Sequence, residues 1–306
     1  MANFESRNGN VVVFDTAEWV AANQKDFVPP VCNKCMFSDQ LKVFFVGGPN
    51  SRNDYHLEEG EEIFFQIKGD MLLKVVERGQ RRDVRIKEGE LFLLPAFVEH
   101  SPQRFADTLG CVVERDRSPQ EFDCVRYFVD ESNNPEILWE RWFHLKDVVK
   151  DLPPVIRAFN ESDEKRSGRP GAGSFERKAP YEPKLVDLPP PLNLAAYIDE
   201  HLAEINKSPH PLFEKAGTRA ILVLYGQGTH ELDSGAQELV ILFQAFTSSS
   251  FPLTLLFCLQ RGSGELQHDG ENTRVDAFFT TRIKPHTKFT LRIADGVCLI
   301  ASITPK

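Results

Sequence analysis

The chain has no apolar run long enough to cross a bilayer. Stretches such as LVILF at 239–243 fall far short of the ~20 residues a membrane helix needs. The opening MANFESRNGN is polar and carries no apolar signal core, so a cytoplasmic location is expected. It has no surplus of positive charge: 36 Lys and Arg stand against 45 Asp and Glu, giving a net charge of −9 and a pI near 5.5. That balance argues against a nucleic-acid or anionic-membrane partner. It leaves room for a small anionic substrate, because two local arginines can dominate at short range. Cysteine is sparse. Of the six, at 32, 35, 111, 124, 258 and 298, only Cys32 and Cys35 form a CxxC. One such pair cannot fill a four-coordinate zinc site, and the βαβ context of a thioredoxin-like dithiol is missing, so reduced thiols are expected. No short repeat period points to a solenoid.

What is present is a chain of 306 residues, long enough for two domains and rich in phenylalanine, with 24. Residues 15–25, DTAEWVAANQK, read as a short helix capped by Asp15 or Thr16. From LKVFFVG onward come short strands: EEIFFQIKG, DMLLKVVE, DVRIKEG, ELFLLP, GCVVER and CVRYFV. The turn residues KGD, RGQ, KEG and PA punctuate them, the pattern of an antiparallel sandwich or barrel. Residues 136–150 read as helical, and 152–192, rich in proline and charge, as a connecting segment with little capacity to form a core. A helix is expected at 193–206. The last third returns to strands, including QELVILFQAF, LTLLFCLQ, KFTLRIA and GVCLIAS. The expected organisation is a catalytic domain at 1–151, a linker at 152–192 and a second β-domain at 193–306, a coarse duplication.

The chemistry concentrates between Gly48 and Glu114. If RNDYH is extended, Arg52, Asp54 and His56 share a face. Glu62 follows at an even spacing after an EEG bend, His100 and Arg104 lie four apart, and Glu114 comes from the next strand. A barrel can gather such inward positions at one mouth. Two imidazoles and a carboxylate leave open positions suited to non-haem Fe(II), although zinc accepts the same donors. Two arginines near a metal suit an anionic substrate, bidentate to a carboxylate. Singly, a strand histidine is ordinarily a surface or packed residue and EEGEE a solvated acidic turn; it is the combination that is specific.

Gly48-x5-Asp54-x-His56-x5-Glu62-x6-Gly69 resembles the first cupin motif, and Gly89-x5-Pro95-x-Phe97-x2-His100-x3-Arg104 the second. Asp54 stands where the usual first histidine would be, and Phe97 and Arg104 replace the usual glycine and asparagine. The four-ligand site becomes a three-ligand one, which disfavours oxalate oxidase or decarboxylase chemistry. Among cupins the chain resembles the 3-hydroxyanthranilate 3,4-dioxygenase family in its animal-type, two-cupin form. The matching stretches are PPVCNK, QLKVFFVGGPNSRNDYHLEEGEEIFFQIKGDMLLKV, GELFLLPAFVEHSPQRFADTLGCVVER and, more weakly, YGQGTHEL.

That resemblance implies an all-β fold of two double-stranded β-helix (jelly-roll) barrels with a few short helices. His56, Glu62 and His100 would hold Fe(II). Arg104 would pair with the substrate carboxylate, and Arg52 would orient substrate and the dioxygen-derived anion, with Asp54 hydrogen-bonding nearby. Glu114 would act as general base, and Asn33 is a weaker supporting candidate. The implied reaction joins 3-hydroxyanthranilate and O2 to give 2-amino-3-carboxymuconate 6-semialdehyde, on the tryptophan-to-NAD route, with no organic cofactor. In the second barrel His210, His230, His268 and His286 do not repeat the ligand spacing. TRIKPHTKF has only the shape of the second motif, so a metal-free, structural cupin and a monomeric protein are expected. The rival readings are another metal-dependent cupin enzyme, such as an isomerase or thiol dioxygenase, and a non-enzymatic cupin binding module.

Overall fold

The computed structural model describes residues 3–29, 32–133, 135–213, 217–244 and 262–306. The expected strand LTLLFCLQ and Cys258 lie outside the described residues; the other five cysteines are free thiols. The chain divides into two compact units, one of residues 25–36, 42–192 and 306, the other of 1–24, 37–41 and 193–305.

The first unit is built from two six-stranded sheets. One runs, in spatial order, Ile137–Phe143, Asp123–Phe128, Tyr55–Leu57, His100–Arg104, Met71–Glu77, Gln80–Ile86. The other runs Leu192–Asn193, Glu90–Leu94, Glu62–Lys68, Leu109–Arg115, Leu41–Gly47, Asn33–Ser38. Period-two alternation sets the faces: in Met71–Glu77 the core takes Met71, Leu73 and Val75, all fully buried, while Leu72 and Lys74 turn away. With Phe44, Phe64, Phe92 and Ile86 they form the core cluster of this barrel. The strands Met71–Glu77 and Gln80–Ile86 are joined by Arg78 and Gly79, both at positive φ (51° and 77°), the twist-matched two-residue hairpin turn that favours glycine at its second position.

Three expectations change. Residues 136–150 are not a helix: Ile137–Phe143 is a strand paired with Asp123–Phe128. Its apolar residues fit either period, but Glu140, which would be unmatched in a core, meets Arg126 at 2.7 and 2.9 Å and the Trp142 indole at 2.9 Å. A tertiary partner decided the element. The helix begins later, Val148–Glu161, capped by Asp147 and running through Pro153 and Pro154.

Nor is 152–192 a detached linker; it belongs to the first unit. Phe159 stacks on Tyr127 at 3.5 Å, Glu164 accepts from the Gly173 N–H at 2.9 Å, Tyr181 donates to the Phe122 carbonyl at 2.7 Å, and Leu188 enters the barrel core. Finally, residues 1–24 do not belong with the first barrel. The helix Thr16–Ala22 forms as expected, its Glu18 N–H capped by Asp15 at 3.0 Å. The preceding strand Val11–Asp15 pairs with Phe279–Ile283 of the other unit, and Val11 and Val13 enter that unit's core. Alternation identifies a strand without saying which sheet receives it.

Among the described residues the second unit holds a seven-stranded and a four-stranded sheet. Its helix Leu194–Ile205 lies where expected. His210 meets the Tyr197 hydroxyl, His230 the Gly226 carbonyl, and His268 the Lys288 carbonyl and Asn8. His286 is exposed on a turn at φ 59°. The rings of His210, His230 and His268 serve separate local contacts.

Candidate active site

The strands Tyr55–Leu57 and His100–Arg104 are antiparallel neighbours in register His56 to His100, which places two imidazoles side by side, ring centroids 5.4 Å apart. Glu62 opens the strand Glu62–Lys68 of the other sheet, so the carboxylate reaches the two rings from across the barrel. One ligand atom from each of His56, Glu62 and His100 lies within 4.8 Å of the others.

The protonation pattern bears on whether these residues fit a cation. His100 Nδ1 lies 3.0 Å from the Val98 carbonyl, which can only accept, so Nδ1 carries the proton and Nε2 presents a lone pair. That lone pair sits 2.8 Å from Glu62 Oε1, yet Oε1 has no hydrogen-bond partner. In the neutral tautomer two electron-rich atoms face one another in a buried site, and a cation between them, a proton or a metal ion, resolves the contact. With a proton in that place the two form a buried ion pair: burial opposes charge on both groups, but their mutual attraction holds Glu62 well below the ordinary carboxylate range and raises His100. His56 Nε2 lies 2.8 Å from Asp123 Oδ2, so Nε2 donates and Nδ1 keeps the remaining lone pair. The donor set, with each histidine's second nitrogen anchored to an oxygen, fits a bound divalent metal.

Around this centre is a pocket of about 680 Å³ including its open mouth. Arg52, Arg104, Glu114 and Asn33 all line it, with Phe44, Val46, Phe64 and Val112 from the barrel and Leu145, Val148 and Leu152 from the start of the 148–161 helix. Residues 51–54 are irregular rather than a strand, so parity does not place Arg52. Its bidentate pair with Asp54 does, at 3.0 and 2.6 Å. Asp54 is only 1 % exposed and stands behind Arg52 instead of on the pocket wall.

Arg104 is only 5 % exposed. Its backbone N–H donates to Asn50 at 3.0 Å and its Nη1 reaches Gln66 Oε1 at a long 3.4 Å, but among the described residues no carboxylate pairs with it. Burial pulls its pKa down to about 10, against the opposing charge of Glu62. Glu114, register partner of Glu62, is raised by burial, with the Arg117 guanidinium acting against the rise. The Asn33 Oδ1, also buried, has no partner.

Sequence reasoning missed Arg117, Asp123, Glu58 and Gln66. Arg117 bonds Glu114 and Glu58 and grips Asp123 at 2.9 and 3.2 Å, so one guanidinium supports both Glu114 and the carboxylate holding His56. Glu58 is pushed well above its usual range by burial among other carboxylates. The available signal was small: Asp123 opens a mostly apolar strand, DCVRYF, whose one other charge is Arg126, an unexpected place for a carboxylate. Arg117 sits in RDRSPQEFD, where nothing distinguishes it from a solvated loop arginine.

Phe97, where the cupin motif usually has glycine, adopts φ 66°. Its N–H donates to Glu58 and its carbonyl accepts from Lys184, both at 2.8 Å, while its ring packs edge-on against Tyr181. These contacts hold a bulky residue in a conformation that normally favours glycine.

The profile of the 3-hydroxyanthranilic acid dioxygenase family matches residues 9–160. A 3-hydroxyanthranilate 3,4-dioxygenase from Caenorhabditis briggsae is 50 % identical over 289 residues, 94 % of this chain and 97 % of that protein. The Homo sapiens protein of the same name is 46 % identical over 70 % of this chain and 74 % of its own length. Among solved structures, a salicylate 1,2-dioxygenase from Pseudoaminobacter salicylatoxidans superposes with a TM-score of 0.54 at 13 % identity, over 95 % of this chain and 81 % of that one. Protein Ylba from E. coli gives 0.53 at 9 % over 99 % and 93 %. At such identities these two speak to the fold alone, a pair of cupin barrels in one chain. With half of its residues identical along nearly the whole of a relative, and the family profile spanning the barrel that gathers His56, Glu62 and His100, the chain belongs to the 3-hydroxyanthranilic acid dioxygenase family.

Proposed function

We propose that this protein opens the ring of 3-hydroxyanthranilate with dioxygen, giving 2-amino-3-carboxymuconate 6-semialdehyde, and that Fe(II) is the metal held by His56, Glu62 and His100. The observation that carries the reading is Arg104: a buried guanidinium without a carboxylate partner among the described residues, in the same pocket as His56, Glu62 and His100, which converge as candidate ligands, and a carboxylate of raised pKa. An unpaired buried charge is costly, and a bound carboxylate would offset that cost. Iron, when bound, supplies Lewis acidity and the electron path between an aminophenol ring and dioxygen.

The chain's own residues do the rest. Arg104 takes the substrate carboxylate and so fixes which edge of the ring faces the ligands. Glu114, its pKa raised by burial against the pull of Arg117, accepts the hydroxyl proton. Arg52, held rigid by Asp54, places a second positive charge where negative charge builds on the oxygen-derived group, so Asp54 acts as a positioning residue. Phe64, Val112 and Leu152 pack the ring and exclude water. The same reading takes the protein as a cytoplasmic monomer working on the tryptophan-to-NAD route. Its support is the family membership, together with the observation that no described helix is long and apolar enough to cross a membrane.

The test is anaerobic loading with Fe(II), followed by 3-hydroxyanthranilate and air, monitoring ring-cleavage absorbance and oxygen uptake together. Stoichiometric uptake of O2 with appearance of the semialdehyde is expected. An iron-replete protein that consumes neither would overturn the substrate assignment.

A further inference from the structure

Arg104 can serve a substrate carboxylate only if the protein holds it still without neutralising it. Two residues outside the ligand set meet that double requirement. Gln66 is 1 % exposed on the strand Glu62–Lys68. Its Nε2 donates to the Lys68 carbonyl at 3.2 Å, so its Oε1 is the atom turned toward Arg104 Nη1, 3.4 Å away. A neutral amide at this point orients the guanidinium and leaves its full charge available; a carboxylate of nearly the same shape would consume it.

Opposite Gln66 on the neighbouring strand is Gly110, beside a shift in strand register. A Cβ at 110 would stand 2.6 Å from Arg104 Nη1 and 2.8 Å from Gln66 Oε1. The backbone atom nearest to it, the Phe65 carbonyl oxygen, is at an ordinary 3.5 Å. A methyl group there is thus accommodated by the strands and refused by the guanidinium and the Gln66 amide. The Arg104–Gln66 pair is the part that must move.

The structure assigns to Gln66 and Gly110 the role of specificity-determining residues, a neutral amide and a missing Cβ that together hold Arg104 in place with its charge unspent for a substrate carboxylate. The inference rests on the reading that Arg104 receives that carboxylate. It ties the preference for a carboxylated ring over the same aminophenol without the carboxylate to two positions that touch neither metal ligand nor reacting atoms.

The test uses the full-length, iron-loaded protein and compares kcat/KM for 3-hydroxyanthranilate and for 2-aminophenol in the wild type, Gln66→Glu, Gly110→Ala and Arg104→Ala. The measured quantity is the ratio of the two values, which a general loss of folding or of metal would lower in both terms alike. Gln66→Glu and Gly110→Ala are each expected to lower the ratio by about tenfold or more, toward that of Arg104→Ala, because a buried ionic contact is forfeited. Iron content and thermal midpoint are read alongside. Should Gly110→Ala fail to accumulate folded protein, Gln66→Glu, nearly isosteric, carries the test alone. The inference is overturned if Arg104→Ala collapses the ratio while Gln66→Glu and Gly110→Ala keep the wild-type value, or if both rings lose in proportion. If Arg104→Ala itself keeps the ratio, the carboxylate lies elsewhere and the underlying reading falls as well.

Discussion

At the scale of single residues, His100 and His56 solve the same problem in different ways. His100 gives its Nδ1 proton to a backbone carbonyl, a partner fixed by the fold. His56 gives its Nε2 proton to Asp123, a charged partner that itself depends on Arg117. Such anchoring carboxylates raise ligand basicity and hold the ring. Asp123→Asn keeps the shape and removes the charge, and is expected to weaken metal retention by about 10- to 100-fold while leaving the barrel folded. Competition against a graded series of chelators measures this, and an affinity equal to the wild type would show that Asp123 only fills space. His56, Glu62 and His100 were legible in the sequence because their spacing follows a motif. Asp123 and Arg117 were not, because what selects them is a contact across the barrel with no counterpart in spacing.

Among the secondary-structure elements, the short strands of the first barrel were readable from alternation, as in Met71–Glu77, and its hairpin at Arg78–Gly79 from the glycine. The stretch 136–161 was not. Its apolar residues satisfy both periods, and the choice rested on Arg126 meeting Glu140 and on where Phe159 could dock. That helix now matters to the site, since Val148 and Leu152 line the pocket. Phe159 clamps its far end, stacked at 3.5 Å on Tyr127 and 5.5 Å from Trp139. Phe159→Ala should cost about 3–5 kcal/mol if the cavity does not collapse. It should also raise KM for the aromatic substrate, because one wall of the pocket loses its anchor. Denaturant titration and steady-state kinetics read the two effects separately. An unchanged KM in a destabilised variant would mean that the wall is held from the 145–148 end alone.

For the molecule as a whole, the chain does not divide where composition changes. Residues 37–41, the tip of the hairpin formed by Asn33–Ser38 and Leu41–Gly47, belong to the unit of 193–305. Within that unit the Leu41 N–H donates to Glu238 Oε2 at 2.6 Å, the Glu238 N–H donates to Gln40 at 3.0 Å, and Asp39 pairs with Arg282 at 2.6 Å. Glu238 is buried, and desolvation lifts its pKa to about 7 despite the N–H it accepts and the nearby Arg282. The consequence for stability has a definite sign. Below its ordinary value of 4.5 the group is protonated whether folded or unfolded, and its contribution is fully present. As pH rises toward about 7 the unfolded chain ionises while the folded one resists, so that contribution is lost across this window. Glu238→Gln keeps an oxygen for the Leu41 N–H and removes the titration. The variant should be more stable than the wild type at pH 8, by roughly 1–3 kcal/mol, and no more stable at pH 4. Thermal or denaturant unfolding at the two pH values decides the matter: a difference independent of pH would show that Glu238 titrates alike in the folded and the unfolded chain, its desolvation offset by Arg282 and the N–H it accepts.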